Sequence, residues 1–160
     1  MKPGKLFEQE IKRSLVHLGC FHFRIADHSS YTPFMAKGSQ IRIPKQPGDF
    51  FAVHQGIPCL IEAKTSKAAD SYSVTYIRDH QLDANREIIA SGGLGWFLIN
   101  NRNNPRNSQV WYVSAEEIKS LQKQYKRKAI RWENFPEDRR ISKIKAGIWN
   151  LEPIFQPKHL

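Results

Sequence analysis

The sequence predicts a mixed α/β fold, a central mixed β-sheet flanked by helices, and three observations carry that expectation. An amphipathic stretch opens the chain, a β-hairpin spans Pro47 to Lys64, and a second helical stretch precedes two further strands. At 160 residues the chain is one domain's worth, long enough to bury a single sizeable core. We read residues 1–160 as one domain, with a core over about 4–128 and a basic, aromatic C-terminal extension over about 129–160.

From Lys5 to Leu18, the residues Phe7, Ile11, Leu15 and Leu18 recur at three- and four-residue spacing, the mark of a helix with one buried face, and Gly19 is placed to close it. Glu8 borders that stripe beside Phe7. Two readings stand for it: a carboxylate reaching inward to the end of the hairpin, or a surface partner of Lys12 one turn on. A short strand, Phe21 to Ile25, follows. Asp27, His28 and two serines then begin a loop that runs to Pro44, and loops of that length are usually functional or disordered. Lys37, Arg42 and Lys45, with Tyr31 and Phe34, give it a composition suited to phosphate and base contacts.

The hairpin pairs Asp49–Val53 with Ile57–Lys64. With Gln55-Gly56 as a two-residue loop, glycine supplying the positive φ such turns need, His54 faces Ile57 and, counting outward, Asp49 faces Glu62. A three-residue loop would place Asp49 opposite Ile61 instead, because register is set by the turn. Glu62 and Lys64 are two apart and share a face, while Ala63 points away and leaves its carbonyl available. Two carboxylates and an ammonium thus converge on one point. A hard cation such as Mg²⁺ takes oxygen ligands, keeps several waters, and is held by one or two carboxylates plus substrate phosphate oxygens.

Beyond the hairpin, Ser66 to Ser73 reads as polar and turn-like, and Ile77, Gln81, Ala84 and Ile88 trace a helix ending at Gly92-Gly93. Gln81 falls on its inner stripe, either as a satisfied core polar group or beside the metal site, holding Lys64 or a water. His80 reads as a surface or DNA-facing group. Strands Trp96–Asn100 and Gln109–Val113 flank an Asn/Arg-rich hairpin loop. Ser114 with Glu117 forms a capping box, so a helix starts there and runs towards Lys128. Ile118, Leu121 and Tyr125 are its apolar side. Lys119, Lys123, Lys126, Arg127 and Lys128 make a one-signed ridge able to track a phosphate backbone, or to complement the helix C-terminus. A second basic cluster, Arg139, Arg140, Lys143 and Lys145, accompanies Trp132, Phe135, Trp149 and Phe155, which are expected to pack onto the sheet.

The 25 Lys+Arg against 15 Asp+Glu leave a formal charge of +10, which favours a polyanionic partner, nucleic acid first. No stretch approaches the ~20 apolar residues of a membrane span. Cys20 and Cys59 lie far apart without metal-ligand spacing, so zinc is not expected and buried free thiols are. Glu8 and Glu10 occupy the region where a secretory signal would need an apolar core, which points to an intracellular, cytoplasmic protein.

Pro47-Gly48-Asp49 followed by Glu62-Ala63-Lys64 resembles the PD-(D/E)xK nuclease superfamily, with its proline displaced by one residue. The order of the chain from about Gly4 to Asn100 is similar to that of its Holliday junction resolvases, of the archaeal type and of the bacterial penicillin-binding-protein-related type. Gly4-Lys5-Leu6-Phe7-Glu8 looks like their first helix, His80-Gln81 like the pair opening the helix after the catalytic strand, and Gly93 to Ile99 like the glycine-led strand that follows. The resemblance implies a restriction-endonuclease-like fold and a homodimeric, Mg²⁺- or Mn²⁺-dependent endonuclease acting on four-way or other branched DNA. It implies Asp49, Glu62, Lys64, Glu8 and Gln81 as catalytic residues, with Asp49, Glu62, the Ala63 carbonyl and Glu8 towards the metal. Lys37, Arg42, Lys45, Lys67, Lys119, Lys123, Lys126 and Arg127 are the candidate nucleic-acid contacts. Another nuclease of the superfamily, nicking, flap, restriction-type or exonucleolytic, and a non-catalytic nucleic-acid-binding protein remain as alternatives.

Overall fold

The structure is a computed structural model and describes residues 1–26 and 45–156. Helix α1 (Pro3–Leu18) begins with proline at its first turn, where a missing N–H costs nothing, and ends where Gly19 turns left-handed at φ 76°. Strand β1 (Phe21–Arg24) follows it. The hairpin is β2 (Phe50–His54) and β3 (Ile57–Ser66), with β4 (Ser71–Ser73) after it. Helix α2 (Asp79–Ala90) leads to β5 (Leu94–Asn101) and β6 (Gln109–Val113), then to α3 (Ala115–Tyr125). The chain closes with β7 (Ala129–Arg131), β8 (Arg140–Ile141), β9 (Lys143–Lys145), β10 (Ile148–Trp149) and a 3₁₀ turn, Glu152–Phe155.

Six strands form one mixed sheet in the order β1-β2-β3-β5-β6-β8. Among the described strands of this sheet only β3 and β5 pair in parallel, Glu62 lying beside Phe97 and Lys64 beside Ile99, and α2 is the crossover between them. Alternation along the strands splits the interior into two cores. Phe50, Ala52, Ile61, Trp96, Leu98 and Tyr112 face α1 with Phe7, Ile11 and Leu15, and Phe97, Ile99, Trp111 and Val113 face α2 and α3. Both sheet faces are therefore covered, as expected for a sheet containing a parallel crossover.

Close approach of α2 to β5 depends on Gly95, where an added Cβ would stand 2.7 Å from the Asn85 side chain and 2.9 Å from its backbone oxygen. Asn85, buried on α2, accepts a hydrogen bond from the Ala115 N–H at the start of α3 (2.9 Å) and so ties the two helices together. On the opposite face Glu10 is buried and receives Arg102 Nη2 at 2.6 and 2.7 Å and the Trp149 indole N–H at 3.2 Å. This ion pair pins α1 to the segments after β5 and at β10.

Three elements differ from their sequence-based expectation. Ser66 to Ser73 is not simply a turn: β3 continues through Ser66, and β4 pairs antiparallel with β7, so that Tyr72 is fully buried. Helix α2 starts at Asp79, since Ile77 is extended after a 3₁₀ turn at Val74–Tyr76. Helix α3 stops at Tyr125 because Lys126 adopts φ 50°, which leaves Lys126, Arg127 and Lys128 beyond the helix. In the second basic cluster Arg139 is buried, its guanidinium 2.6 Å from Glu117 and over the Trp96 and Tyr112 rings. The four aromatic anchors do pack inward, Trp149 and Phe155 on the α1 side and Trp132 and Phe135 on the other.

Candidate active site

The turn of the hairpin is the expected two-residue one, with Gln55 at φ 50° and Gly56 at φ 80°, and His54 pairs with Ile57. Both φ values are positive, as a turn matching the twist of the flanking strands requires. The ladder ends at Phe50 opposite Ile61. At Asp49 the chain leaves it: the Asp49 N–H donates to the Ile61 carbonyl (2.9 Å), and the Asp49 carboxylate accepts the Ala63 N–H (2.8 Å). Asp49 is thus held against β3 by its own side chain, one position beyond the regular pairing. Gly48 permits the bend, since a Cβ there would meet the Ile61 oxygen at 3.0 Å and Leu60 at 3.1 Å. In a strand the N–H and C=O of one residue point the same way, so the Ala63 carbonyl also faces the side that β2 has vacated.

Glu62 and Lys64 lie on the α2 face of β3. Lys64 Nζ stands 2.7 Å from Glu62 Oε1 and donates to Gln81 Oε1 at 3.1 Å, while Gln81 Nε2 donates to Glu62 Oε1 at 2.6 Å. The Arg78 backbone N–H donates to the same Gln81 oxygen (3.1 Å). One glutamine on the first turn of α2 therefore fixes carboxylate and ammonium together. Gln81 is not a passive core amide: each end of its side chain is spent on a charged group.

Burial and the neighbouring charge of Glu62 push Asp49 up to about 7, with Glu8 adding to the rise, while the Ala63 N–H and Lys64 act in the opposite direction. Glu62 is itself raised, first by burial, against the pull of Lys64 and Gln81. Two largely desolvated carboxylates with one ammonium beside them form an electronegative notch. Glu8 does not pair with Lys12. Its carboxylate is held by Arg24 of β1 at 2.8 and 3.1 Å, yet it is near enough for its charge to be felt at both Asp49 and Glu62.

Among the described residues no group of three or more His, Cys, Asp or Glu side chains is arranged to hold a metal ion. The donor set on offer is two carboxylate side chains and a strand carbonyl, all oxygen. That set suits a hard cation that keeps much of its water shell and is a poor match to zinc. Sequence reasoning did not single out Tyr72, whose buried hydroxyl has no hydrogen-bond partner and is raised by burial and by the charge of Glu62. Nothing in the polar stretch around it signalled a buried ring. Arg24, the holder of Glu8, carried no signal either.

The expected nucleic-acid contacts are spread over this side and beyond it. Lys45 is exposed ahead of the hairpin, and Lys67 is exposed just past β3. Lys119 and Lys123 are exposed on α3, with Lys126 and Arg127 in the turn after it. Lys37 and Arg42 lie outside the described residues. Cys20 and Cys59 are both free and buried, as expected. No helix among the described residues is long and apolar enough to cross a membrane.

Comparison with known proteins adds two findings. The family described as recombination protein U (RecU) matches residues 37–150, a span that contains Asp49, Glu62, Lys64 and Gln81. Among solved structures, Hjc of Archaeoglobus fulgidus, described as a Holliday junction resolvase from an archaeal hyperthermophile, superposes with a TM-score of 0.51 at 16% identity, covering 83% of this chain and 92% of that one. At that identity the likeness concerns the fold: the six-stranded mixed sheet with its helices is shared with that protein. No curated protein matches the chain.

Proposed function

The chain belongs to the recombination protein U family, and on that premise we propose that it is a Holliday junction resolvase, a metal-dependent endonuclease that hydrolyses phosphodiester bonds in branched DNA. The observation that carries the reading is the family match over the span holding Asp49, Glu62, Lys64 and Gln81, the residues that meet in the electronegative notch.

Asp49, Glu62 and the Ala63 carbonyl would hold Mg²⁺, or Mn²⁺ in its place, with Glu8 contributing negative charge from α1. A bound divalent ion supplies a polarised phosphate and a water of lowered pKa. The protein's own part is positional. Gln81 keeps the Lys64 ammonium against Glu62, where it can orient an attacking water or offset charge developing on the phosphate. The Ala63 N–H keeps the Asp49 carboxylate turned towards β3, so the ligand geometry is set before any ion arrives.

Two symmetric cuts across a four-way junction call for two such sites related by a two-fold axis, so the working form is a homodimer. The basic surface supplies the non-specific attraction to DNA, and the protein acts in the cytoplasm of a bacterial or archaeal cell or of a phage's host.

Cleavage of four-way, flap, linear duplex and single-stranded DNA in Mg²⁺ tests the assignment. Preference for the junction is expected; preference for flap, linear or single-stranded DNA assigns the protein to another nuclease activity of the same chemistry. Asp49→Ala and Glu62→Ala are expected to reduce cleavage by at least about 10²-fold while retaining DNA binding, consistent with loss of a group that acts on the transition state. Absence of Mg²⁺- or Mn²⁺-dependent cleavage by the unaltered protein on every substrate leaves a basic binding module and removes the enzyme.

A further inference from the structure

A second polar depression adjoins the notch. It has a volume of about 450 Å³ and is lined by Lys45, Thr75, Ile77, Arg78, Asp79 and His80. Its floor is the turn entering α2, and the Arg78 backbone that forms this floor donates to the Gln81 oxygen that also receives Lys64. The depression and the carboxylate notch are thus two sides of one hydrogen-bonded turn.

Its charge is unbalanced. Among the described residues neither Lys45 nor Arg78 forms an ion pair, although the other arginines near α2, such as Arg86, do. Burial, and after it the positive charges of Lys45, Arg78 and Lys64, hold the His80 imidazole below its ordinary value, against the opposing effect of Asp79. These three cations therefore converge from separate parts of the chain, the segment before the hairpin, the α2 entry and β3. Counted formally, the lining residues Lys45 and Arg78 against Asp79 leave one net positive charge in the depression. That is the complement of one phosphodiester, and the Thr75 hydroxyl and imidazole N–H add neutral donors.

We propose that this depression is a phosphate clamp, in which Lys45 and Arg78 grip a DNA backbone phosphate next to the scissile one and set which bond enters the carboxylate notch. The proposal rests on the resolvase reading and adds specific binding residues to it. A strand gripped here has its next phosphate delivered beside Lys64, because the two sites share the Gln81 turn. Lys45 was expected to contact nucleic acid on composition alone and His80 was read as a surface or DNA-facing group; Arg78 gains a role from the cavity.

The test is the salt dependence of binding to a four-way junction, measured by fluorescence anisotropy without divalent metal, for the full chain and its K45Q/R78Q variant. Each phosphate contact contributes roughly −0.9 to the slope of log K against log salt. Losing the one gripped phosphate should flatten the slope by about 0.9 for each subunit engaged, so by about 2 for a homodimer on one junction, while K12Q/K145Q, which removes two exposed lysines on the α1 side, should leave it nearer to that of the unaltered protein. Arg78→Lys should restore part of the loss. The altered residues are exposed, so an unchanged melting temperature certifies the fold.

An unaltered slope in K45Q/R78Q, or an equal flattening in K12Q/K145Q, overturns the clamp, the latter because net charge alone would then explain the effect. A protein that cleaves no DNA but loses slope only in K45Q/R78Q removes the nuclease and keeps the clamp. One that cleaves junctions with K45Q/R78Q indistinguishable from the parent does the reverse.

Discussion

Single side chains decide the chemistry here, and Asp49 is the one with a measurable signature. Its carboxyl is raised from an ordinary 3.8 to about 7. The folded protein accordingly binds more protons than the unfolded chain between about pH 4 and pH 7, and stability from this group is present in full below pH 4 and is lost as pH rises towards 7. In the absence of metal, urea denaturation should find the protein less stable at pH 8 than at pH 5 by roughly 2 kcal/mol from this source, allowing for solvent screening. Asp49→Asn should flatten that dependence. Divalent ions compete with the same proton, so 10 mM Mg²⁺ is expected to raise the melting temperature at pH 8 and to do little at pH 5 or in Asp49→Asn. An equal rise at both pH values would detach Asp49 from the ion. At this scale the sequence was informative where spacing alone suffices: Glu62 and Lys64 two apart in a strand, and Gln81 on the inner face of a helix. It was silent on Glu10, whose partners Arg102 and Trp149 lie 92 and 139 residues away. No local pattern separates this buried glutamate from half-buried Glu8 two residues before it.

Elements are positioned by a few close contacts, and α2 against β5 is the one on which the site depends. Gly95 lies under the Asn85 backbone, where a methyl group has no room unless the helix moves. Gly95→Ala should cost on the order of 2–3 kcal/mol, the usual range for overpacking a filled interface. Because Gln81 rides on the same helix, displacement of α2 also loosens its hold on Lys64 and Glu62, so cleavage should fall further than folded population alone explains. Asn85→Ala separates the two effects, since it removes the bond to the Ala115 N–H without overpacking; a loss of about 1–2 kcal/mol with cleavage per folded molecule retained is expected. Equal activity losses in both would place the fault in stability alone. Periodicity and the Ser114 capping box made α1, α2 and α3 readable within a few residues. Strand β4 escaped because its pairing partner, β7, is more than fifty residues on and its own composition is that of a turn. The end of α3 escaped as well: a lysine at φ 50° stops the helix, and only the fold reveals that a non-glycine residue accepts that conformation.

The molecule is closed by residues 129–156. Trp149, Leu151, Ile154 and Phe155 are buried against the α1 face of the sheet, and the Trp96 indole N–H donates to the Ile154 carbonyl at 2.7 Å. Trp132 stacks on Trp111 and Phe135 packs tilted against it on the other face, and β7 supplies the partner strand of β4, whose Tyr72 feels the charge of Glu62. Six or more large side chains at roughly 1.5–3 kcal/mol each amount to about 10 kcal/mol or more, as much as the entire net stability of an ordinary domain. Truncation after Lys128 is therefore expected to abolish cooperative unfolding and expose both cores, read as dye-binding apolar surface and loss of near-ultraviolet circular dichroism. The basic residues in this segment make a competing account available, in which it serves DNA binding and folds independently of the rest. On that account the truncated chain would melt cooperatively near the parent temperature and lose only affinity. The aromatic composition of the segment was visible in the sequence, but its division between two opposite faces was not, because that depends on β8 joining the sheet edge and turning the chain around it.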